Sequence, residues 1–158
     1  MKDKSNFDED IEDIGVSENT IGDNLTHKKF FDEAITQANI AAKKGEIPIG
    51  CVIVKDGKIV AKAYNRRERT NDATAHAEVL AIKKACKRLK NWRLTGCDIY
   101  VTLEPCMMCM GAIVNARIRK IYYCAPNNNP NLNHNVDSEC IINDNYVSLL
   151  RDFFANKR

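Results

Sequence analysis

Two short stretches constrain this chain more than anything else in it. They are Thr74-Ala75-His76-Ala77-Glu78 and Glu104-Pro105-Cys106-Met107-Met108-Cys109. Read together they spell H-x-E followed by P-C-x-x-C. Imidazole nitrogen and thiolate sulfur are the donors zinc prefers, and a catalytic zinc site uses three protein ligands with a fourth place left for water. His76, Cys106 and Cys109 supply such a set.

Each stretch precedes an apolar-periodic run, which places the ligands at the first turns of two helices. Pro105 suits the start of a helix, where its missing N–H is not needed. The partial positive charge at a helix N-terminus lowers a cysteine pKa, so both sulfurs are expected as thiolates. Three residues apart, Cys106 and Cys109 share one face. Glu78 stands too close to His76 in sequence to serve comfortably as a fourth ligand. A carboxylate beside a metal site can instead take a proton from water and pass it on. Two other readings compete. A structural zinc knot closes with four ligands, and Cys51 or Cys124 could supply the fourth. A C-x-x-C pair can also be a redox motif, although that needs no H-x-E upstream.

With 158 residues the chain has room for one domain with a substantial core. Its net charge of +3 hides an asymmetry, because residues 1–26 hold eight acids and two bases. The remaining 22 bases and 13 acids leave the body strongly basic, which suits an anionic partner such as nucleic acid. Seven cysteines, an odd number, argue against a disulfide framework and for a reducing compartment. No apolar run is long enough to span a bilayer, and the acidic N-terminus resembles neither a secretory signal nor a transit peptide. The expectation is a cytoplasmic protein without a membrane partner.

In chain order, residues 1–25 read as an acidic, disordered extension and 26–158 as the working domain. Thr26 is expected to cap a helix to Lys44, with Phe30, Phe31, Ala34, Ile35, Ala38, Ala41 and Ala42 facing inward and Gly45 ending it. Ile49–Val54 and Lys58–Tyr64 read as strands joined by an Asp56-Gly57 hairpin turn. A polar, basic loop over residues 65–74 leads to the first metal helix, Ala75–Leu89, with Val79, Ile82 and Ala85 inward. Then follow a strand (Cys97–Leu103), the second metal helix (Cys106–Asn115) and a strand (Lys120–Cys124). An irregular segment covers 125–137, and Ser138–Ile142 is a last strand. Asn143 caps a terminal helix with Val147, Leu150 and Phe154 on its core side, and His27 reads as a surface residue. A hairpin followed by alternating helices and strands predicts a mixed α/β sheet with helices on both faces.

With these residues in place, the chain resembles the bacterial tRNA-specific adenosine deaminases, within the cytidine deaminase-like superfamily. The spaced H-x-E and P-C-x-x-C motif is known for zinc nucleobase deaminases, so this is recognition added to the reading of the residues. The matching pieces include Glu46-Ile-Pro-Ile-Gly50, Tyr64-Asn65-Arg66, Asn91-Trp-Arg-Leu94 and Tyr100-Val-Thr-Leu-Glu-Pro-Cys106. They run from about residue 27 to the end, with Asn133-His134 and Asp152-Phe-Phe154 the weakest.

The resemblance implies a three-layer α/β/α domain with a mixed five-stranded sheet. It also implies one Zn2+ per chain, a homodimer, and conversion of a tRNA wobble adenosine to inosine in the anticodon stem-loop. Carried over by residue, His76, Cys106 and Cys109 hold zinc and Glu78 shuttles protons. Asn65 hydrogen-bonds the base, Ile47, Pro48 and Leu103 wall the pocket, and the Ala77 backbone N–H helps fix the base. Arg66, Arg67, Asn127, His134, Arg151 and Phe154 are candidate RNA contacts.

The chain departs from the family after Cys124. Pro126-Asn127 stands where Arg-Asp is usual, and the following insertion is about ten residues shorter, a difference that touches the RNA side and not the metal motif. Ala73 replaces a usual proline. Two other functions stay in play, a deaminase of a free base or nucleoside such as guanine or cytosine, and a non-catalytic zinc-containing RNA-binding subunit. Glu78 speaks against the latter and the basic body against the former.

Overall fold

The computed structural model describes residues 21–128 and 135–156. Ten elements follow in order: α1 (Ile21–Lys43), β1 (Gly50–Lys55), β2 (Lys58–Tyr64), α2 (Arg67–Thr70), α3 (Ala77–Leu89), β3 (Cys97–Leu103), α4 (Met107–Asn115), β4 (Lys120–Ala125), β5 (Asp137–Cys140) and α5 (Asp144–Asn156). The strands form one sheet in the order β2-β1-β3-β4-β5. β1 runs antiparallel to β2 and β3, whereas β3, β4 and β5 are parallel. The hairpin turn has Asp56 and Gly57 both at positive φ, the geometry that matches strand twist in a two-residue connection.

Each face of the sheet carries its own cluster. On one, β1 and β3 present Cys51, Ile53, Cys97, Ile99 and Val101 to α3 and α4. On the other, Val52, Val54, Tyr100, Tyr122 and Cys124 meet Phe30, Phe31, Ala34 and Ala38 of α1 and Tyr146 and Leu150 of α5. Strand side chains alternate between faces, so β1 and β3 serve both clusters and are buried throughout their middles. The result is the expected mixed five-stranded sheet with helices on both sides.

Gly50 sits where α1 crosses the start of β1. A Cβ there would overlap the Ala34 carbonyl oxygen and press on the Ala38 nitrogen, so only glycine lets helix and strand approach this closely. The Gly50 N–H then donates to Thr102 Oγ1 at 3.1 Å, joining β1 to buried β3.

Several local expectations need correction. α1 begins at Ile21, so Thr26 lies within the helix and does not cap it. The buried stripe of α3 is Ala77, Glu78, Ala81 and Ala85, with Val79 only partly covered. Phe154 is half exposed at the far end of α5, and the core contacts there come from Tyr146 and Leu150. His27 is part-buried, its Nδ1 2.7 Å from the Tyr100 hydroxyl and its ring against Tyr122. Asn143 does cap α5, accepting the Tyr146 N–H on its side-chain oxygen at 3.0 Å. Parallel β4 and β5 are bridged by residues 126–136, near the lower limit for such a crossover. His134, along with Asn133, lies outside the described residues.

Candidate active site

His76 and Cys106 are the N-cap residues of α3 and α4, both in extended backbone conformation, and Cys109 sits in the first turn of α4. Two helix tips therefore converge on one point at the end of β3. His76 Nδ1 lies 3.6 Å from Cys106 Sγ and 3.5 Å from Cys109 Sγ. All three donor atoms fall within 4.8 Å of one another, and no further His, Cys, Asp or Glu joins the group among the described residues. Cys51 and Cys124, the candidates for a fourth ligand, are buried elsewhere in the two clusters. A tetrahedral zinc with bonds of about 2.3 Å to sulfur and 2.0 Å to nitrogen spaces N and S ligands by about 3.5 Å. The donor set thus fits zinc in both chemistry and spacing.

Without a metal, the expectation of two thiolates holds for Cys106 and fails for Cys109. Hydrogen bonding from Cys109 and the helix-tip amides of Met108 and Cys109 holds the Cys106 thiol down to about 5, against the pull of burial. Cys109, as the donor in that pair and more deeply buried, is pushed up. A cation placed between the two sulfurs would favour the thiolate of both. Cys51 is raised well above its ordinary value by burial and by Glu78, and remains a thiol.

Glu78 is the second residue of α3, 3% exposed, and its Oε2 has no hydrogen-bond partner within the protein. Burial is the main cause that lifts its carboxyl to about 6. Buried carboxylate oxygens are seldom left in this state, because the unmade bond costs about 1–3 kcal/mol or more. Asn65 repeats the pattern: it is 3% exposed, and its Oδ1 is likewise without a partner. Two acceptor atoms kept waiting at one end of the sheet are what a site built for a polar ligand requires.

The other expected residues fall into distinct positions. Ala77 is the first residue of α3, where the backbone N–H has no acceptor inside the helix. Pro48 is buried, and its carbonyl accepts the Tyr146 hydroxyl at 2.9 Å. Ile47 is half-buried, and half-buried Leu103 packs against the α1/α5 cluster. Arg66 is the N-cap and Arg67 the first residue of α2, next to Asn65, with Arg67 3.6 Å from Glu68. Asn127 is tied to Glu104, donating its N–H to Oε1 at 3.0 Å and its side-chain amide to the Glu104 carbonyl at 3.3 Å. Arg151 and Phe154 lie five and eight residues beyond Tyr146, about 8 and 12 Å further along α5.

Sequence reading passed over Glu46. It is fully buried and accepts the backbone N–H of Glu68 at 3.2 Å and of Arg69 at 2.7 Å, clamping α2 beside Asn65. A lone acid immediately before the apolar run Ile47-Pro48-Ile49-Gly50-Cys51 was the available signal. Tyr146 had no comparable mark.

A parallel-ended mixed sheet with an open His/Cys/Cys group at two helix tips and a buried carboxylate beside it defines a hydrolytic deaminase of the cytidine deaminase-like class. The MafB19-like deaminase family matches over residues 25–158. A tRNA-specific adenosine deaminase of Aquifex aeolicus is 43% identical over 142 residues, 82% of this chain and 94% of that protein. A structure from work on A-to-I editing by tRNA:A34 deaminases at the wobble position is 40% identical, with a TM-score of 0.66 over 72% of this chain and 98% of that one. Guanine deaminase from Bacillus subtilis is 34% identical, with a TM-score of 0.61 over 82% and 94%. The chain belongs to the MafB19-like deaminase family, in its branch of tRNA-specific adenosine deaminases.

No helix among the described residues is long and apolar enough to cross a membrane.

Proposed function

We propose that this protein deaminates the wobble adenosine of a tRNA to inosine, using one zinc ion held by His76, Cys106 and Cys109. The observation that carries the reading is the open three-donor group with the unsatisfied Glu78 carboxylate beside it. When bound, zinc supplies Lewis acidity that brings the pKa of a water ligand to about 7.

The chain's own residues do the rest. Glu78 accepts a proton from the water that attacks C6 and delivers it to the ring nitrogen of adenine. It then carries the second proton to the departing amino group, so that water and adenosine become inosine and ammonia. A carboxyl lifted by burial is suited to both directions of transfer. Asn65 holds the base through its unpaired amide oxygen, and the Ala77 N–H donates to it. Ile47, Pro48 and Leu103 wall the base, with Pro48 fixed by Tyr146. Arg66, Arg67, Arg151 and Phe154 are assigned to RNA contact, and His134, outside the described residues, joins them on the family resemblance alone. Asn127 acts there mainly by shaping the loop that Glu104 anchors. Extruding a base costs least where it is already unpaired, which favours an anticodon loop over a duplex. The working domain covers residues 26–158 and, because α1 begins at Ile21, the start of that helix as well. It acts as a cytoplasmic homodimer, with the acidic residues before α1 a dispensable extension.

The likeness to guanine deaminase supports a second reading, a free-purine deaminase. One experiment separates them. Purified zinc-loaded protein is expected to form inosine in an anticodon stem-loop. Turnover of free guanine or cytosine with none on the stem-loop overturns the first reading.

A further inference from the structure

Between Glu78 and Asp98 the chain places six bases and no acid. Most of them gather where α3 ends and turns back toward β3, at the far end of the helix from the pocket. From Glu78 to Leu89 is about 17 Å along the axis. At that end Trp92, the chain's one tryptophan, is 52% exposed. The Arg93 guanidinium stands 4.2 Å from its ring centre and that of Arg117 5.8 Å. Among the described residues no carboxylate lies within ion-pair distance of Lys87, Arg88, Lys90, Arg93 or Arg117. The nearby Arg119 is neutralised by Asp98 at 2.8 Å, so the surrounding surface shows that pairing was available to this end of the sheet. Arg117 also donates to the Val114 carbonyl, which fixes its guanidinium against α4.

We infer that Trp92, with Arg93 on its ring, Arg117 near it and Lys87, Arg88 and Lys90 close by in sequence, is a second RNA-binding surface, separate from the deaminase pocket. The half of the indole left exposed beside Arg93 offers stacking surface to an unpaired base, and the neighbouring cations meet the flanking phosphates. An acidic protein surface would use the cations but leave the indole without a planar partner. The inference rests on the tRNA reading only for which RNA the surface holds. It gives the enzyme a grip on the substrate beyond the nucleotide being converted.

The test uses the full-length, zinc-loaded chain, where fluorescence reports on Trp92 alone. Adding a full-length tRNA transcript is expected to quench it. Lys87→Gln/Arg93→Gln is expected to weaken tRNA binding about tenfold and reduce the salt slope by about 0.7 for each lost phosphate contact. Its kcat on saturating stem-loop stays that of the parent. Trp92→Leu, checked for native zinc content, is expected to weaken binding about tenfold, the size of one lost base stack. Unquenched fluorescence with unchanged affinity in both variants overturns the surface while leaving inosine formation intact. Altered sedimentation with unchanged RNA affinity also overturns it, by making this a contact between copies. Quenching and weakened variants without any inosine uphold the surface and reject the proposed reaction.

Discussion

The two faces of the sheet are built from different materials. Under α3 the helix itself contributes small side chains, Ala77, Ala81 and Ala85, which meet a wholly non-aromatic set of buried strand residues such as Cys51, Ile53, Ala63, Cys97 and Ile99. Under α1 it is large and aromatic, with Phe30 and Phe31 against Tyr100, and Tyr100 stacked on Tyr122 at 4.6 Å. Small side chains bury less area each but let the helix lie close to the strands, as they do where backbones must approach. The face that carries His76 and Glu78 is thus set for position. The aromatic face holds the stacked rings and reaches the pocket through Tyr146, which fixes Pro48, and through Leu103.

If that division is right, variants should separate turnover from stability. The largest effect belongs to Glu78→Gln. Its turnover on an anticodon stem-loop is expected to fall by about 10²–10⁴-fold, the usual worth of a general acid–base. Zinc content, measured by atomic absorption, stays near one per chain, and a loss of zinc would instead make Glu78 a ligand.

Next come paired core variants. Phe31→Ala on the aromatic face is expected to cost about 3–5 kcal/mol in denaturant unfolding with kcat of the remaining folded enzyme unchanged. Ala81→Leu on the small face is expected to cost about 1–3 kcal/mol and to lower kcat as well, by lifting α3 from the sheet. Equal effects on kcat would erase the distinction. Tyr146→Phe should be milder, raising KM and costing about 1–3 kcal/mol because the Pro48 carbonyl is left buried without its donor.

The smallest effect concerns the loop before His76. Asp72 accepts from the Thr74 hydroxyl at 2.7 Å and the Thr74 N–H at 2.8 Å, and these bonds hold its pKa below the usual carboxylate value. A depressed folded pKa gives stability above the unfolded value that is lost as pH falls through the folded one. Asp72→Asn should therefore melt slightly below the parent at pH 7, with the gap closing in acid. A gap that persists unchanged below pH 3 would show that charge is not its source.

Much of this was legible before any coordinates, for identifiable reasons. Metal donors at helix starts, an Asp-Gly hairpin and an alternating strand pattern are local signals, and each element they mark is present. What escaped were consequences of tertiary contact. Ile21-Gly22-Asp23-Asn24 carries no helical pattern of its own, yet α1 extends through it upstream of the stripe that packs on the sheet. Phe154 has the spacing of a core residue but lies beyond the sheet's edge of cover, since Leu150 is the last buried position of α5. Nothing local tells that the Glu46 carboxylate will meet two amides more than twenty residues away. The unsatisfied oxygens of Asn65 and Glu78 exist only once the walls around them close.

Gly50 has a practical consequence for anyone wishing to reshape this enzyme. Because backbone meets backbone there, the spacing of α1 from the sheet cannot be tuned by swapping one side chain for another. Even alanine would have to push the whole helix outward and, by way of Thr102, disturb the strand that ends beside the His76, Cys106 and Cys109 group. Libraries aimed at new substrates do better to leave that crossing alone and diversify the arginine-bearing turn that Glu46 ties down.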